Sequence, residues 1–115
     1  MQAETAKRLH DAMTASASVK AFVAGADLAR YQEDDLLRSA VERKFEILGE
    51  ALRQAIRGDE TLPDRIPYIQ NLIGMANRIT HGYGDIHDEI VWDAIQHRLP
   101  ELEATLATLL AAEPV

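Results

Sequence analysis

Residues 34–58 read DDLLRSAVERKFEILGEALRQAIRG, and this stretch decides the fold class. Asp34 or Asp35 can cap the first free N–H groups of a helix, and Gly58 provides an end signal after Arg57. Apolar residues recur between them at helical spacing, in one stripe at positions 37, 41, 45, 48, 52 and 55 and in another at 36, 40, 47 and 51. This apolar arc is wider than the roughly 100° that faces a single core. We therefore expect a helix at the centre of a bundle, or one that also packs against a partner chain.

Three further helices accompany this one. Four antiparallel helices with short connections predict an all-α, up-and-down four-helix bundle, with room for a short extra helical turn, in a single domain spanning 1–115. The first helix is predicted from about Glu4 to Ala24, with Gly25 as its stop. The third is predicted to have Pro67 in its first turn and to end at His81. The fourth is predicted to begin between Asp85 and Asp88, with a kink or restart at Pro100. The predicted connectors are 26–33 and the loop GDETLPDR at 58–65.

Composition limits the classes of function. The chain has no Cys, which excludes disulfides and thiolate metal sites. Its formal net charge of -7 argues against a broad basic face for nucleic acid, so any contact with RNA has to be local. No stretch reaches the roughly 20 apolar residues of a membrane span, and the N-terminus lacks the apolar core of a signal peptide. We expect a cytoplasmic protein with no membrane partner.

The residues best suited to chemistry collect at the end of the third predicted helix, in GMANRITHGY at 74–83. Asn77 and Arg78 lie four and three residues before His81, spacings that make side chains neighbours on a helix. An imidazole can take or give a proton near neutral pH, and a guanidinium can hold phosphate oxygens. RNA carries its own nucleophile, the 2′-OH. The set therefore suits phosphodiester cleavage that needs neither metal nor cofactor.

The same residues also have a plainer interpretation. An Arg-x-x-His at a helix end often only caps carbonyl groups and complements the helix dipole. Tyr83 taken alone would be a packing aromatic. A metal site of His87 with Asp85, Asp88 and Glu89 has unspecific spacing, so no metal is expected. The residues by themselves leave both a phosphodiester-cleaving site and a structural cap open.

Three stretches resemble the HepT-like branch of the HEPN superfamily. ITHGYGDIHDEIVWDAIQHRLPEL at 79–102 is similar to the C-terminal half of those proteins, where His-x-Tyr precedes an acidic turn and a helix with an Ile-Val-Trp core. VERKFEILGEAL at 41–52 resembles their second helix. IPYIQNLIGMANRITH at 66–81 resembles the segment that leads into the motif, with Tyr68 where Trp is usual. The match covers most of the chain from about Leu36 to Leu102 and implies a HEPN-type bundle.

The family motif is an Arg followed after four to six residues by a His, commonly extended to His-x-Tyr. The resemblance places the motif His on His81, its Tyr on Tyr83 and the intervening polar pair on Asn77 and Arg78. The leading Arg falls on position 76, where this sequence has Ala76. Two explanations fit: Ala76 is an introduced change that disables a toxic nuclease, or the chain is a natural degenerate member kept for binding. A clean Arg-to-Ala difference inside a well-matched motif favours the first.

The resemblance implies the toxin of a type VII HepT/MNT toxin–antitoxin pair, a metal-independent RNA endonuclease in which the motifs of two subunits meet in a symmetric homodimer. His81 would act as general base or acid, and Asn77 and Arg78 would support phosphate binding. The products would be a 2′,3′-cyclic phosphate or its opened form, and a 5′-OH end. The implied partner is an MNT-type nucleotidyltransferase antitoxin that transfers AMP to Tyr83, and the bulky, anionic adduct would block the cleft.

Two other classes of function compete with the nuclease. In one, the bundle is a non-catalytic module that binds a nucleotidyltransferase or a nucleotide, and its binding is insensitive to mutation of His81. In the other, the protein is a structural helical dimer whose motif is only a cap, and His81→Ala lowers stability by about 1 kcal/mol without changing any activity. RNA cleavage after Arg is restored at position 76 separates the first hypothesis from these two.

Overall fold

The computed structural model describes residues 1–81 and 87–112, and all regular structure within them is helical. The elements in chain order are α1 (Ala3–Val23), α2 (Leu28–Glu33), α3 (Asp35–Gly58), α4 (Leu62–Arg65), α5 (Ile69–His81), α6 (Asp88–Asp93), a π-helical turn (Ala94–Arg98) and α7 (Leu99–Ala111). The all-α prediction is confirmed. None of the helices in this part of the chain is long and apolar enough to cross a membrane.

Helix α3 is the centre of the bundle. Its most extensive contacts are with α1 and α5, while α7 packs on α1. The long helical stretches α1, α3, α5 and α6–α7 form the predicted four-helix bundle. They share one core, whose fully buried members include Leu9, Val41, Phe45, Leu52 and Leu99.

The two apolar stripes of α3 differ in their burial. The first is inaccessible to solvent at Val41 and Phe45, as expected of a helix at the bundle centre. The second is buried at Ala51 but only half-buried at Ile47, and Leu36 at its start is 81% exposed. One apolar stripe of the central helix is therefore left partly open to solvent.

The ends of the long helices follow their sequence signals closely. Helix α1 stops at Val23, and Gly25 follows with a φ of 80°, a left-handed conformation that glycine adopts without a steric penalty. The Asp34 carboxylate accepts a hydrogen bond from the Leu37 N–H at 3.0 Å, which starts α3 as predicted. This bond lowers the pKa of Asp34. Gly58 is the last residue of α3 rather than the first residue after it.

Two segments predicted as connectors contain short helices, which corrects those predictions. Segment 26–33 holds α2, whose start is capped by Asp27 through a 2.8 Å hydrogen bond from the Arg30 N–H. The loop GDETLPDR holds α4, with Pro63 in its first turn. Helices of six and four residues are too short to show the apolar periodicity by which the long helices are recognised.

The prediction that the third long helix begins in the turn of Pro67 is wrong by two residues. Helix α5 begins at Ile69 because Tyr68 has a φ of 64°, a left-handed conformation that an α-helix cannot include. The Arg98 guanidinium lies 3.7 Å from the centre of the Tyr68 ring. This cation–π contact joins the turn before α5 to the π-helical turn.

Pro100 interrupts the fourth helical stretch, as predicted. Proline has no N–H and crowds the preceding turn of a helix. Just before it, the hydrogen-bond ladder widens, so that the Leu99 N–H donates to the Ala94 carbonyl, five residues back. The helix continues as α7 with Pro100 in its first turn. At the other end of this stretch, α6 starts at Asp88, whereas Asp85 lies outside the described residues.

Candidate active site

A cleft of about 520 Å³ opens between α1 and α5, with α3 lining it between them. Helix α5 contributes Ala76, Asn77, Thr80 and His81, and we call this space the His81 cleft. Charged side chains line the other walls: Arg8 and Asp11 from α1, and Arg43, Lys44, Glu46, Glu50 and Arg53 from α3. The cleft thus joins the predicted motif to a set of cations and anions from two other helices.

The last turn of α5 presents two of the predicted site residues to this cleft. Asn77 and His81 lie one helical turn apart, both are exposed, and both line the cleft. The Thr80 hydroxyl donates a 3.0 Å hydrogen bond to the Ala76 carbonyl and so binds back to its own helix. The His81 imidazole is therefore accessible at a helix end rather than packed in the core. Its catalytic role stays a prediction.

Ala76 lies where α5 crosses α3. Its side chain is only 3% exposed, although it lines the His81 cleft. A Cβ atom placed on Gly49 would overlap the Ala76 Cβ, so the two helices touch closely at this point. The position that carries Arg in the motif is thus filled here by a methyl group packed against the α3 backbone. A longer side chain at position 76 would have to leave the crossing through the cleft.

Arg78 is directed elsewhere. It lines a second cleft of about 380 Å³, together with Met75, Ile90 and Arg98, which we call the Arg78 cleft. His81 does not line it, and Arg78 does not line the His81 cleft. Residues three apart on a helix differ by about 60° in direction, and here that angle separates the two side chains. The structure therefore does not place Arg78 where it could bind the same phosphate as His81, and its predicted role has no structural support.

Several other sequence predictions have simple structural outcomes. Tyr83, the predicted site of modification, lies outside the described residues. Among residues 1–81 and 87–112, no three His, Asp or Glu side chains are placed to hold a metal ion. His10, His87 and His97 do not line the His81 cleft.

The charges of the His81 cleft are mostly paired on their own helices. Arg43 Nη1 lies 2.7 Å from Glu46 Oε1, and Arg53 Nη1 lies 2.6 Å from Glu50 Oε2. The Gln54 amide donates to Glu50 at 2.8 Å and, together with Arg53, lowers the pKa of that carboxyl. Glu50 is therefore an anion at neutral pH, and its charge offsets part of the positive charge in the cleft.

Arg8 and Lys44 complete the set of cations. Arg8 Nη2 pairs at 3.0 Å with Glu4, one turn earlier on α1. The Lys44 ammonium has no hydrogen bond or ion pair with any residue in the described part of the chain. Neither residue was predicted from the sequence, because only the packing of α1 and α5 around α3 brings them to the motif. For Lys44 the one sequence signal was the charged group Glu42-Arg43-Lys44 inside a broad apolar arc, and for Arg8 there was none.

Residues 12–109 match the family model for HepT-like ribonucleases. The chain belongs to this family. A candidate RNase of Caldanaerobacter subterraneus subsp. tengcongensis is 28% identical to it over 91 residues, which are 79% of this chain and 80% of that protein. Two candidate RNases of Methanocaldococcus jannaschii are 23% and 28% identical, covering 83% of this chain in each case and 81% and 86% of their own lengths. No solved structure matches the chain.

The HepT-like match takes in nearly the whole candidate site. Of the residues that line the His81 cleft, only Arg8 and Asp11 precede the matched range. The family assignment confirms the resemblance stated from the sequence, and it attaches a ribonuclease description to the segment that holds His81. Ala76, where the sequence resemblance led us to expect Arg, also lies within the matched range.

Proposed function

We propose that this HepT-like protein is the toxin of a toxin–antitoxin pair, an RNA endonuclease that acts in the cytoplasm through its His81 cleft. One observation carries the proposal. His81 is exposed at the end of α5 and lines, with Asn77, a cleft that also contains side-chain cations from α1 and α3. A proton-transferring group beside cations is what the cleavage of a phosphodiester requires.

The proposed reaction uses the 2′-OH of RNA as the nucleophile. Its oxygen attacks the adjacent phosphorus, and the bond from phosphorus to the 5′-oxygen breaks. One imidazole takes the 2′-OH proton as a general base, and a protonated imidazole returns a proton to the leaving 5′-oxygen. The products are a 2′,3′-cyclic phosphate and a 5′-OH end. Atoms and charge balance without a metal, a redox partner or an enzyme nucleophile.

Two imidazoles imply two copies of the chain, so we propose a symmetric homodimer in which two His81 clefts face each other. The open stripe of α3 supports this arrangement. Leu36 is 81% exposed, and the half-buried Ile47 on the same stripe lines the His81 cleft. Apolar surface next to a cleft of this kind gains stability when a second copy covers it.

The proposed control of the toxin is covalent. An MNT-type nucleotidyltransferase antitoxin would transfer AMP to the Tyr83 hydroxyl, two residues after His81 in the sequence. The hydroxyl oxygen attacks the α-phosphorus of ATP, and pyrophosphate leaves. The adduct brings bulk and negative charge, which repel an RNA phosphate near His81. Mass spectrometry of the peptide with Tyr83, after co-expression with a candidate nucleotidyltransferase, tests this step.

Position 76 sets the expected level of activity. Loss of one preorganised donor to a developing charge commonly costs about 100- to 1000-fold in rate. We therefore expect the chain with Ala76 to be a weak nuclease and Ala76→Arg to raise the rate of RNA cleavage by about that factor. The measurement is single-turnover cleavage of a labelled RNA, with the cyclic phosphate and 5′-OH ends identified on the products.

The controls separate catalysis from added charge. Ala104→Arg makes the same substitution at an exposed site on α7, away from the cleft, and should change nothing. His81→Ala should abolish both the weak activity of the native chain and the gain in the Ala76→Arg chain. The proposal fails if folded Ala76→Arg protein cleaves no RNA. If that variant does not fold, native activity that persists after His81→Ala is equally decisive against it.

A non-catalytic binding module is the second candidate, and the observation in its favour is Ala76 itself. In that case the His81 cleft holds a nucleotide or a nucleotidyltransferase without cutting. Folded Ala76→Arg protein would then be inactive, and partner binding would survive His81→Ala.

A further inference from the structure

We propose that Lys44 is a phosphate-binding residue of the His81 cleft and supplies the positive charge that position 76 lacks. This inference rests on the proposed function, since it assigns a role toward the phosphate of an RNA strand. It concerns a residue on α3, outside the segment of the family motif.

The position of Lys44 on α3 supports this assignment. It lies at the edge of the partly open apolar stripe, four residues after Ala40 and three before Ile47, and Arg43 lies at the opposite edge. Lys44, Ile47, Ala76 and His81 all line the His81 cleft. Lys44 is partly buried there, which costs its charge solvation energy, and a bound anion would offset that cost.

Lys44 also differs from the other cations of the cleft. Arg43, Arg53 and Arg8 each have a carboxylate within 3.0 Å on their own helix. Lys44 is partly buried and has no such partner in residues 1–81 and 87–112. An arginine that turned toward a phosphate would have to leave its carboxylate, whereas Lys44 would leave only water. Lys44 is therefore the cation that can bind an incoming anion at the smallest cost.

The length and flexibility of the lysine side chain also suit this role. An arginine at position 76 would start from the point where α5 touches Gly49 and extend into the cleft. A lysine ammonium on a flexible four-carbon stem can reach into the same space from the facing helix, as a point charge rather than a planar fork. It would hold a phosphate without the two-point geometry of arginine. This is consistent with a site that binds RNA and cleaves it slowly.

The test is binding of a fluorescein-labelled, single-stranded 2′-O-methyl RNA of about 12 nucleotides, followed by anisotropy. The methyl group removes the nucleophile, so binding is measured without cleavage. We expect Lys44→Gln to weaken binding by about tenfold, the loss expected for one charge-assisted contact. Lys44→Arg should keep the affinity within about threefold, since it keeps the charge. Lys20→Gln makes the same charge change away from the cleft and should bind like the native chain.

A double substitution tests whether Lys44 takes the place of an arginine at position 76. If Lys44 does the work of the missing arginine, Lys44→Gln should weaken RNA binding much less in the Ala76→Arg chain than in the native chain, because a second cation then holds the phosphate. Equal effects in both backgrounds would mean that Lys44 does not substitute for position 76.

The outcomes separate this inference from the nuclease proposal. If Lys44→Gln binds RNA like Lys20→Gln, the assignment of Lys44 is wrong, whatever the nuclease assay shows. If Lys44→Gln loses affinity while Ala76→Arg remains inactive, the cleft binds RNA without cleaving it, and only the nuclease proposal fails. If the native chain does not bind the RNA at all, the assignment of Lys44 is wrong, and the Ala76→Arg cleavage assay still decides the nuclease proposal. Circular dichroism of each variant establishes that it is folded.

Discussion

Glu42, next to the cations of α3, is a carboxylate whose surroundings disfavour its charge. Partial burial raises its pKa above the ordinary value of 4.5, and the nearby carboxylate of Asp88 raises it further, while Arg38 opposes the shift. The native state therefore holds the proton of Glu42 at a pH where the unfolded chain has released it. By linkage, the contribution of this group to the free energy of unfolding falls as pH rises above about 4.5.

We accordingly expect Glu42→Gln to melt at a higher temperature than the native chain at neutral pH. The difference should shrink as pH falls and vanish below the ordinary pKa of the carboxyl, where native Glu42 is itself neutral. Thermal melts followed by circular dichroism between about pH 4 and pH 8 measure this. Glu60→Gln removes the same charge at an exposed position and is the control. A gain in Glu42→Gln that is equal at all pH values would contradict the stated cause.

At the residue scale, local spacing predicted only part of the site. The interval of four residues placed Asn77 and His81 together, and both line one cleft. The interval of three residues suggested that Arg78 would also lie beside His81. The last turn of α5 has a cleft on each side, however, and Arg78 lines one while His81 lines the other. Sequence spacing alone does not tell which cleft a side chain enters. Lys44 was beyond prediction, because its place in the site depends on how helices distant in sequence pack.

At the scale of elements, the predictable features were those written in the local sequence. Caps, glycines and long apolar stripes gave α1, α3 and α5 to within about two residues, and Pro100 indicated the change in helical hydrogen bonding just before α7. The only local signals of the short helices are a capping Asp for α2 and a proline for α4. Both residue types are also common in loops, so these helices could not be predicted. The crossing of α3 and α5 was not predicted, because a glycine within a helix does not reveal what it faces.

That crossing makes a prediction about two glycines. Alanine normally stabilises a helix relative to glycine by about 0.5–1 kcal/mol, and Gly74 has open space around it, so Gly74→Ala should raise the free energy of unfolding by that amount. A Cβ on Gly49 would overlap the Ala76 Cβ, and overpacking of this kind costs about 1–3 kcal/mol. Gly49→Ala should therefore lower stability despite the same gain in helix propensity.

Urea unfolding of Gly74→Ala and Gly49→Ala measures the two changes in the free energy of unfolding. A second substitution tests whether the overlap with Ala76 is the cause. Adding Ala76→Gly to Gly49→Ala removes the overlapping methyl group and should recover part of the lost stability. If Gly49→Ala proves as stabilising as Gly74→Ala, then α5 does not approach α3 at this point, and position 76 would not lie at the base of the His81 cleft.

At the scale of the whole molecule, an acidic protein is proposed to bind a polyanion. The net charge of -7 repels RNA at long range, and the cations of the His81 cleft are few and mostly paired. Affinity has to come from a small number of phosphates in the cleft, together with contacts to bases or sugars that do not depend on salt. A long basic track of the kind that binds nucleic acid non-specifically is not compatible with this charge balance.

The salt dependence of binding reports how many phosphates are held. Each contacted phosphate of a single strand contributes about -0.7 to the slope of log affinity against log salt, so two to four contacts predict a slope of about -1.4 to -2.8. The 2′-O-methyl RNA used for Lys44, titrated between about 50 and 300 mM KCl, gives this slope directly. Lys44→Gln should make it shallower by about 0.7, and Lys20→Gln should leave it unchanged. A slope steeper than about -6 would mean roughly nine or more phosphate contacts, which is more than the Arg and Lys side chains of two facing His81 clefts can make, and the strand would then have to lie on a different surface of the molecule.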